Sequence, residues 1–154
     1  MKSETTVLVK RIRAGRTPDS RTIARKAAKI LALLDLEGAE LSVVLCDDMF
    51  IRELNRDYRG LDKSTDVLSF TQDGEDETEG PTRMLGDVVI SIDTATRQAK
   101  ERRCSTVDEV TALLVHGVLH LTGFDHENAK DAQAMAERAD EIESALNRRT
   151  APRA

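Results

Sequence analysis

All three histidines of the chain fall in one stretch, His116-Gly-Val-Leu-His120-Leu-Thr-Gly-Phe-Asp-His126. His116 and His120 are four residues apart. On a helix that spacing puts both side chains on one face, with Cβ atoms about 5–6 Å apart. Both imidazoles can then reach one metal ion at about 2.0–2.1 Å. Gly123 offers the left-handed conformation that turns a chain after a helix, and three residues on His126 can swing back as a third ligand. Three neutral nitrogens suit zinc, one ion per chain, and leave a fourth tetrahedral position for water. An open fourth position is the catalytic arrangement, whereas structural zinc is closed by four protein ligands. Nickel, cobalt and copper would also bind such a site in vitro. The bland alternative is three histidines with no common partner, and the spacing speaks against it.

The pattern resembles the elongated zinc motif of the metzincin proteases in its two helical histidines, its glycine and its final histidine. One position departs. The residue after the first histidine, a glutamate general base in the proteases, is Gly117 here. Without that carboxylate the proton shuttle for peptide hydrolysis is missing, which argues against a protease.

The elements that must position this motif follow from apolar periodicity and turn residues. Thr5 to Ile12 reads as a strand. Pro18-Asp19-Ser20 opens a helix with its apolar stripe at Ile23, Ala27, Ile30, Leu31 and Leu34, ended by Gly38. Leu41 to Cys46 is a short strand, and Asp47 N-caps a helix to about Tyr58. Residues Arg59 to Ser64 form a turn-rich loop, followed by a strand from Val67 to Phe70. The acidic run Asp73 to Gly80 reads as an exposed, mobile loop. Met84 to Ile92 is a fourth strand, and Asp93 caps a short helix to about Arg103. Thr106-x-x-Glu109 reads as a capping box for the histidine-bearing helix, which stops at Gly123. A last helix begins near Asn128, with Ala132, Met135, Ala139, Ile142 and Leu146 as its buried stripe. This order is not the regular alternation of a doubly wound sheet. The expected fold is α+β, one four-stranded mixed sheet packed with about five helices, the zinc site at the end of a central helix. Residues 1–148 read as one domain and 149–154 as a frayed tail.

Composition bounds the function. With 154 residues, 40% of them hydrophobic, one domain can bury a core. Aromatics are 3% with no Trp, which disfavours an RNA platform of stacked rings. The net charge of −5 taken alone argues against a nucleic-acid binder, yet the five acids between Asp73 and Glu79 account for all of it. Basic residues cluster at Lys10, Arg11, Arg13 and Arg16 and again at Arg52, Arg56, Arg59 and Lys63, so local basic surface is compatible with the balance; solvated helix faces are the plain alternative. Cys46 and Cys104 have no metal-type spacing and suggest core residues in a reducing compartment. No apolar run approaches the roughly 20 residues that span a bilayer. The expectation is a cytoplasmic protein with no membrane partner.

At residues 116 to 126 the sequence resembles the signature of the YbeY family of bacterial endoribonucleases. Two further blocks agree: Leu54-Asn55-Arg56-Asp57-Tyr58-Arg59 with Ser64-Thr65-Asp66-Val67-Leu68-Ser69-Phe70, and Leu85-Gly86-Asp87-Val88-Val89-Ile90. The resemblance runs from about residue 40 to 146, and the first 40 residues agree only in pattern. It implies a zinc-dependent, single-strand-specific endoribonuclease acting in maturation of the small-subunit (16S) ribosomal RNA 3′ end and in ribosome quality control. It implies single-stranded ribosomal RNA and small-subunit components as partners, with no DNA expected. It also implies His116, His120 and His126 as metal ligands and Arg59 as a functional basic residue.

A physical role for Arg59 follows independently. Phosphodiester cleavage builds charge on phosphoryl oxygens, and a guanidinium offers two parallel donors and a permanent charge. Opposite a metal ion it would complete a clamp on the scissile phosphate; the alternative is an ordinary exposed arginine. Asp125 either orients a ligand histidine or caps the next helix. Asp66 and Ser69 either line the cleft or belong to a turn and strand. Two rival functions stand beside the ribonuclease: a metallohydrolase of another substrate, and a non-catalytic zinc-containing ribosome-assembly factor.

Overall fold

The computed structural model describes residues 5–71, 83–123 and 129–150. The acidic run from Asp73, together with Asp125 and His126, lies outside the described residues, as does 151–154 of the stretch read as a tail. The elements in chain order are β1 (Thr6–Ile12), α1 (Ser20–Leu33), β2 (Ala39–Cys46), α2 (Asp48–Arg59), β3 (Val67–Thr71), β4 (Arg83–Ser91), α3 (Ile92–Arg102), α4 (Thr106–Leu121) and α5 (Ala129–Thr150).

The strands form one mixed sheet in the order β1-β2-β4-β3. β1 and β2 are parallel, β2 and β4 are parallel, and β3 returns antiparallel to β4. The expected α+β class, the four strands and the five helices are all present.

Alternation along the strands sends side chains to two faces. Leu41, Val43, Leu45, Val88 and Ile90 face the main core, where they meet buried residues of α1, α4 and α5. Cys46, Leu68 and Val89 face the other side and pack on Ile51 of α2, with Phe50, Leu54 and Phe70 at the margin. The sheet is thus covered on both faces, which the parallel pairs require. α4 is the central helix; Val110, Leu114, Val115, Val118 and Leu119 are fully buried.

Several boundaries differ from the sequence reading. α1 ends at Leu33, not at Gly38: Asp35 takes a left-handed φ of 60°, and Gly38 (φ 89°) opens β2 instead. The cap of α3 is Ser91, whose hydroxyl accepts from Thr94 N–H at 3.3 Å; Asp93 is already inside the first turn and accepts from Asp48 N–H at 3.0 Å. The capping box of α4 is also displaced. Ser105 is the N-cap and accepts from Asp108 N–H at 3.0 Å, while Glu109 is 2% exposed and belongs to the interior. In both helices a serine one or two residues earlier takes the role, because the cap must sit outside the helical φ/ψ region.

Candidate active-site cleft

Gly117 decides how α4 meets the sheet. A Cβ there would lie 2.7 Å from Val88 Cγ1 and 3.2 Å from Ser69 Oγ. Only a residue without a side chain lets the helix backbone lie this close to β3 and β4. The Ser69 hydroxyl then donates to the Gly117 carbonyl at 3.0 Å, tying the edge strand to the helix. The position that carries a glutamate in the metzincin motif is therefore filled by the sheet, and no side chain could reach solvent from it.

The opposite side of the same turn is open. His116 has its side chain about half exposed (49%) and His120 is half-buried. Both border a single cleft of about 880 Å³ together with Arg59, Asp66, Ser69 and Gly123. α4 ends just beyond, at Leu121, and Gly123 takes a φ of 106°, the left-handed turn expected of it. Met135 and Ala136 of α5 close another wall. His116 Nε2 lies 4.0 Å from a Glu143 carboxylate oxygen. Burial pushes the Glu143 carboxyl above its ordinary range and nearby Asp140 adds to this, while His116 opposes it. Glu143 escaped the sequence reading; its one signal was its place beside the apolar stripe of α5, between Ile142 and Leu146.

Arg59 reaches the cleft from the other face of the sheet. It is the last residue of α2 rather than the first of a loop, and Gly60 (φ 73°) ends the helix in the left-handed conformation. The buried Asn55 fixes the following loop by donating from Nδ2 to the Lys63 carbonyl at 2.9 Å. Neighbouring Arg52 pairs with Asp62 at 2.8 Å and Arg56 with Asp57 at 3.1 Å. Among the described residues Arg59 has no such partner. Asp66 lines the cleft and is held by Gln98 Nε2 at 3.2 Å. Of the N-terminal basic group, Arg13 is committed to Glu53 at 3.0 Å.

Neither cysteine lines this cleft. Cys46 is fully buried, and burial first, then the carboxylates of Asp47, Asp48 and Asp93, push its thiol up to about 12. Cys104 is also raised, by burial and by Glu109.

The donor set fits a soft-to-borderline metal ion as far as it is described: two imidazoles one helical turn apart opening into one cleft. Among the described residues there is no group of three or more His, Cys, Asp or Glu placed to hold a metal ion. The third histidine of the motif, His126, lies outside them.

An α+β domain with paired histidines and an uncommitted arginine in one cleft is the class that fold and site define. Residues 11–147 match the family described as Endoribonuclease YbeY. The chain is 51% identical over 116 residues to an endoribonuclease YbeY of a Sulfurihydrogenibium strain, covering 74% of each chain. It is 42% identical over 137 residues to that of Persephonella marina, covering 88% of this chain and 89% of the relative. A chloroplastic endoribonuclease YBEY of Arabidopsis thaliana is 49% identical over 106 residues, but there the match spans only 18% of the plant protein. A solution structure of a Thermotoga maritima protein superposes with a TM-score of 0.63 at 25% identity, covering 96% of this chain and 94% of the other. The chain belongs to the endoribonuclease YbeY family, a family of RNA-cleaving hydrolases. The match reaches back to residue 11, well into the stretch where the sequence alone agreed only in pattern.

Proposed function

We propose that this chain is a zinc-dependent, single-strand-specific endoribonuclease that matures the 3′ end of small-subunit ribosomal RNA and serves ribosome quality control. The observation that supports this most is the convergence of Arg59, from one face of the sheet, with His116 and His120, from the other, on one cleft.

His116, His120 and His126 would hold one zinc ion, which when bound supplies a Lewis acid for a phosphoryl oxygen and lowers the pKa of water toward about 7. Arg59 binds the scissile phosphate through its two parallel N–H donors and offsets the charge that builds on its oxygens. The Ser69–Gly117 tie keeps the edge strand and the histidine helix at a fixed separation, so substrate enters a preformed site. A peptide substrate is disfavoured because no general base can occupy position 117. Single-stranded ribosomal RNA within the small subunit is the partner this reading requires. Among the described residues no helix is long and apolar enough to cross a membrane. A cytoplasmic location is the expectation for this chain, although one relative is chloroplastic.

The test is metal analysis of the purified protein beside cleavage of single-stranded RNA and of casein, for wild type, His120→Ala and Arg59→Ala. Loss of zinc and RNA cleavage in a folded His120→Ala, with zinc kept but cleavage lost in Arg59→Ala, supports the reading. A His120→Ala protein that unfolds would instead mark a structural zinc and a non-catalytic assembly factor. Chelator-sensitive casein cleavage would mark another metallohydrolase.

A further inference from the structure

β3 lies at the edge of the sheet, hydrogen-bonded only to β4 among the described strands. The Asp66 carbonyl accepts from Ser91 N–H at 3.0 Å. The register runs on from there, pairing Val67 with Ile90, Leu68 with Val89, Ser69 with Val88 and Phe70 with Asp87. In an antiparallel ladder, bonded and non-bonded pairs alternate. The backbone N–H and C=O of Leu68 and Phe70 therefore turn toward β4, and those of Val67, Ser69 and Thr71 turn away from it. Val67, Ser69 and Thr71 all line the cleft that Arg59, His116 and His120 border. The cleft thus contains a row of donor–acceptor pairs, repeating about every 6.6 Å.

Among the described residues the side chains along this row turn elsewhere. Val67 is packed against the main core, and Ser69 is engaged with Gly117. We propose that the outer edge of β3 is the base-reading surface of the site, its N–H and C=O groups hydrogen-bonding the Watson–Crick edges of unpaired bases next to the scissile phosphate. A nucleobase carries a donor and an acceptor side by side, as one strand residue does on its outward side. In a duplex those base edges are already occupied, so only a single strand can be read this way. A chain with 3% aromatics has few rings on which to stack bases, and the backbone edge supplies a grip that needs none. An added peptide strand would use the same groups. The Arg59 charge beside the edge, uncommitted among the described residues, favours a phosphate-bearing partner. This inference rests on the endoribonuclease reading.

The test removes outward N–H groups without touching the ladder. Proline is tolerated at an edge position whose N–H faces away from the sheet, so Thr71→Pro deletes one donor. An amide-to-ester replacement at Ser69 deletes another and stands in if the proline variant fails to fold. Each is titrated by fluorescence anisotropy with a short labelled single-stranded RNA and with a ribose-phosphate oligomer of the same length lacking bases. Each variant is expected to raise Kd for RNA about fivefold, the worth of one hydrogen bond, and to leave Kd for the baseless oligomer unchanged. Equal loss on both oligomers, or no loss on RNA, overturns the inference while leaving the endoribonuclease reading intact. Loss of affinity for an extended peptide with RNA binding unaltered also overturns it. Failure of the wild type to bind or cleave RNA overturns both.

Discussion

Glu109 and His116 stand two turns apart on α4 and meet different surroundings. Glu109 is 2% exposed, lies 3.8 Å from the Arg102 guanidinium and accepts from the Cys104 thiol at 3.9 Å. Both contacts reach its Oε1, from the end of α3 and from the short connection to α4, and the hollow beside it is about 270 Å³. His116 is about half exposed and borders the cleft of about 880 Å³. One helix thus carries a buried glutamate at its start and two imidazoles bordering a cleft at its end. Partnered polar groups inside a fold serve stability, whereas polar groups that border a cleft on a rigid element can meet a ligand. Gly117, next to His116, lets one side of the open end press on Val88.

The contrast can be broken at its open end first. His120→Ala should reduce RNA cleavage by about a thousandfold, since a metal ion contributes several kcal/mol of transition-state stabilisation. Metal content should fall with it while the circular dichroism spectrum is kept. Arg59→Ala should cost about a hundredfold in cleavage with metal content unchanged, as expected for loss of one charge-stabilising donor. Arg59→Lys should restore only part, because an ammonium lacks the paired geometry.

At the boundary, Gly117→Ala forces a methyl group to within 2.7 Å of Val88. Overpacking of this kind costs about 1–3 kcal/mol, to be read as a lowered urea midpoint, and it should lower cleavage as α4 moves off the sheet. At the closed end, Glu109→Gln should cost about 1–2 kcal/mol of stability and leave cleavage per folded molecule at the wild-type level. A cleavage defect there would mean that the two ends of α4 are not independent.

The smallest effect concerns a polar cluster remote from both. Burial pulls the Asp48 carboxyl upward, but bonds from Ser91 at 2.6 Å, Thr94 at 2.7 Å and Arg97 at 2.9 Å outweigh it and hold the group below its ordinary 3.8. A lowered folded value means stability that is present above the unfolded pKa and lost as pH falls through the folded one. The site is partly solvated, so the loss should be about 1 kcal/mol. Urea midpoints measured from about pH 5 downward should fall less steeply in Asp48→Asn than in wild type.

Much of this was legible in local pattern. Met135, Ala139, Ile142 and Leu146 of the α5 stripe, the N-cap Asp47 and the left-handed Gly123 come from residues a few positions apart, and their physics is equally local, whereas Ala132 of that stripe lines the cleft instead. The caps of α3 and α4 are less legible, because Ser91 and Ser105 compete with equally suitable neighbours, and burial of Glu109 decides the second case. The placement of Glu143 beside His116 depended on how α5 docks, which periodicity does not specify.

By itself the sequence determined that two histidines share a helix face and that a glycine follows them, because a helical repeat is fixed by the chain's own geometry. Only the tertiary structure decided that Arg59, on a helix across the sheet, borders the same cleft, that position 117 has no room for a side chain, and that one edge of β3 is left facing the histidines. These depend on which strands pair and in what register. Such contacts join residues distant in sequence, and their stability comes from apolar surface buried in the assembled core.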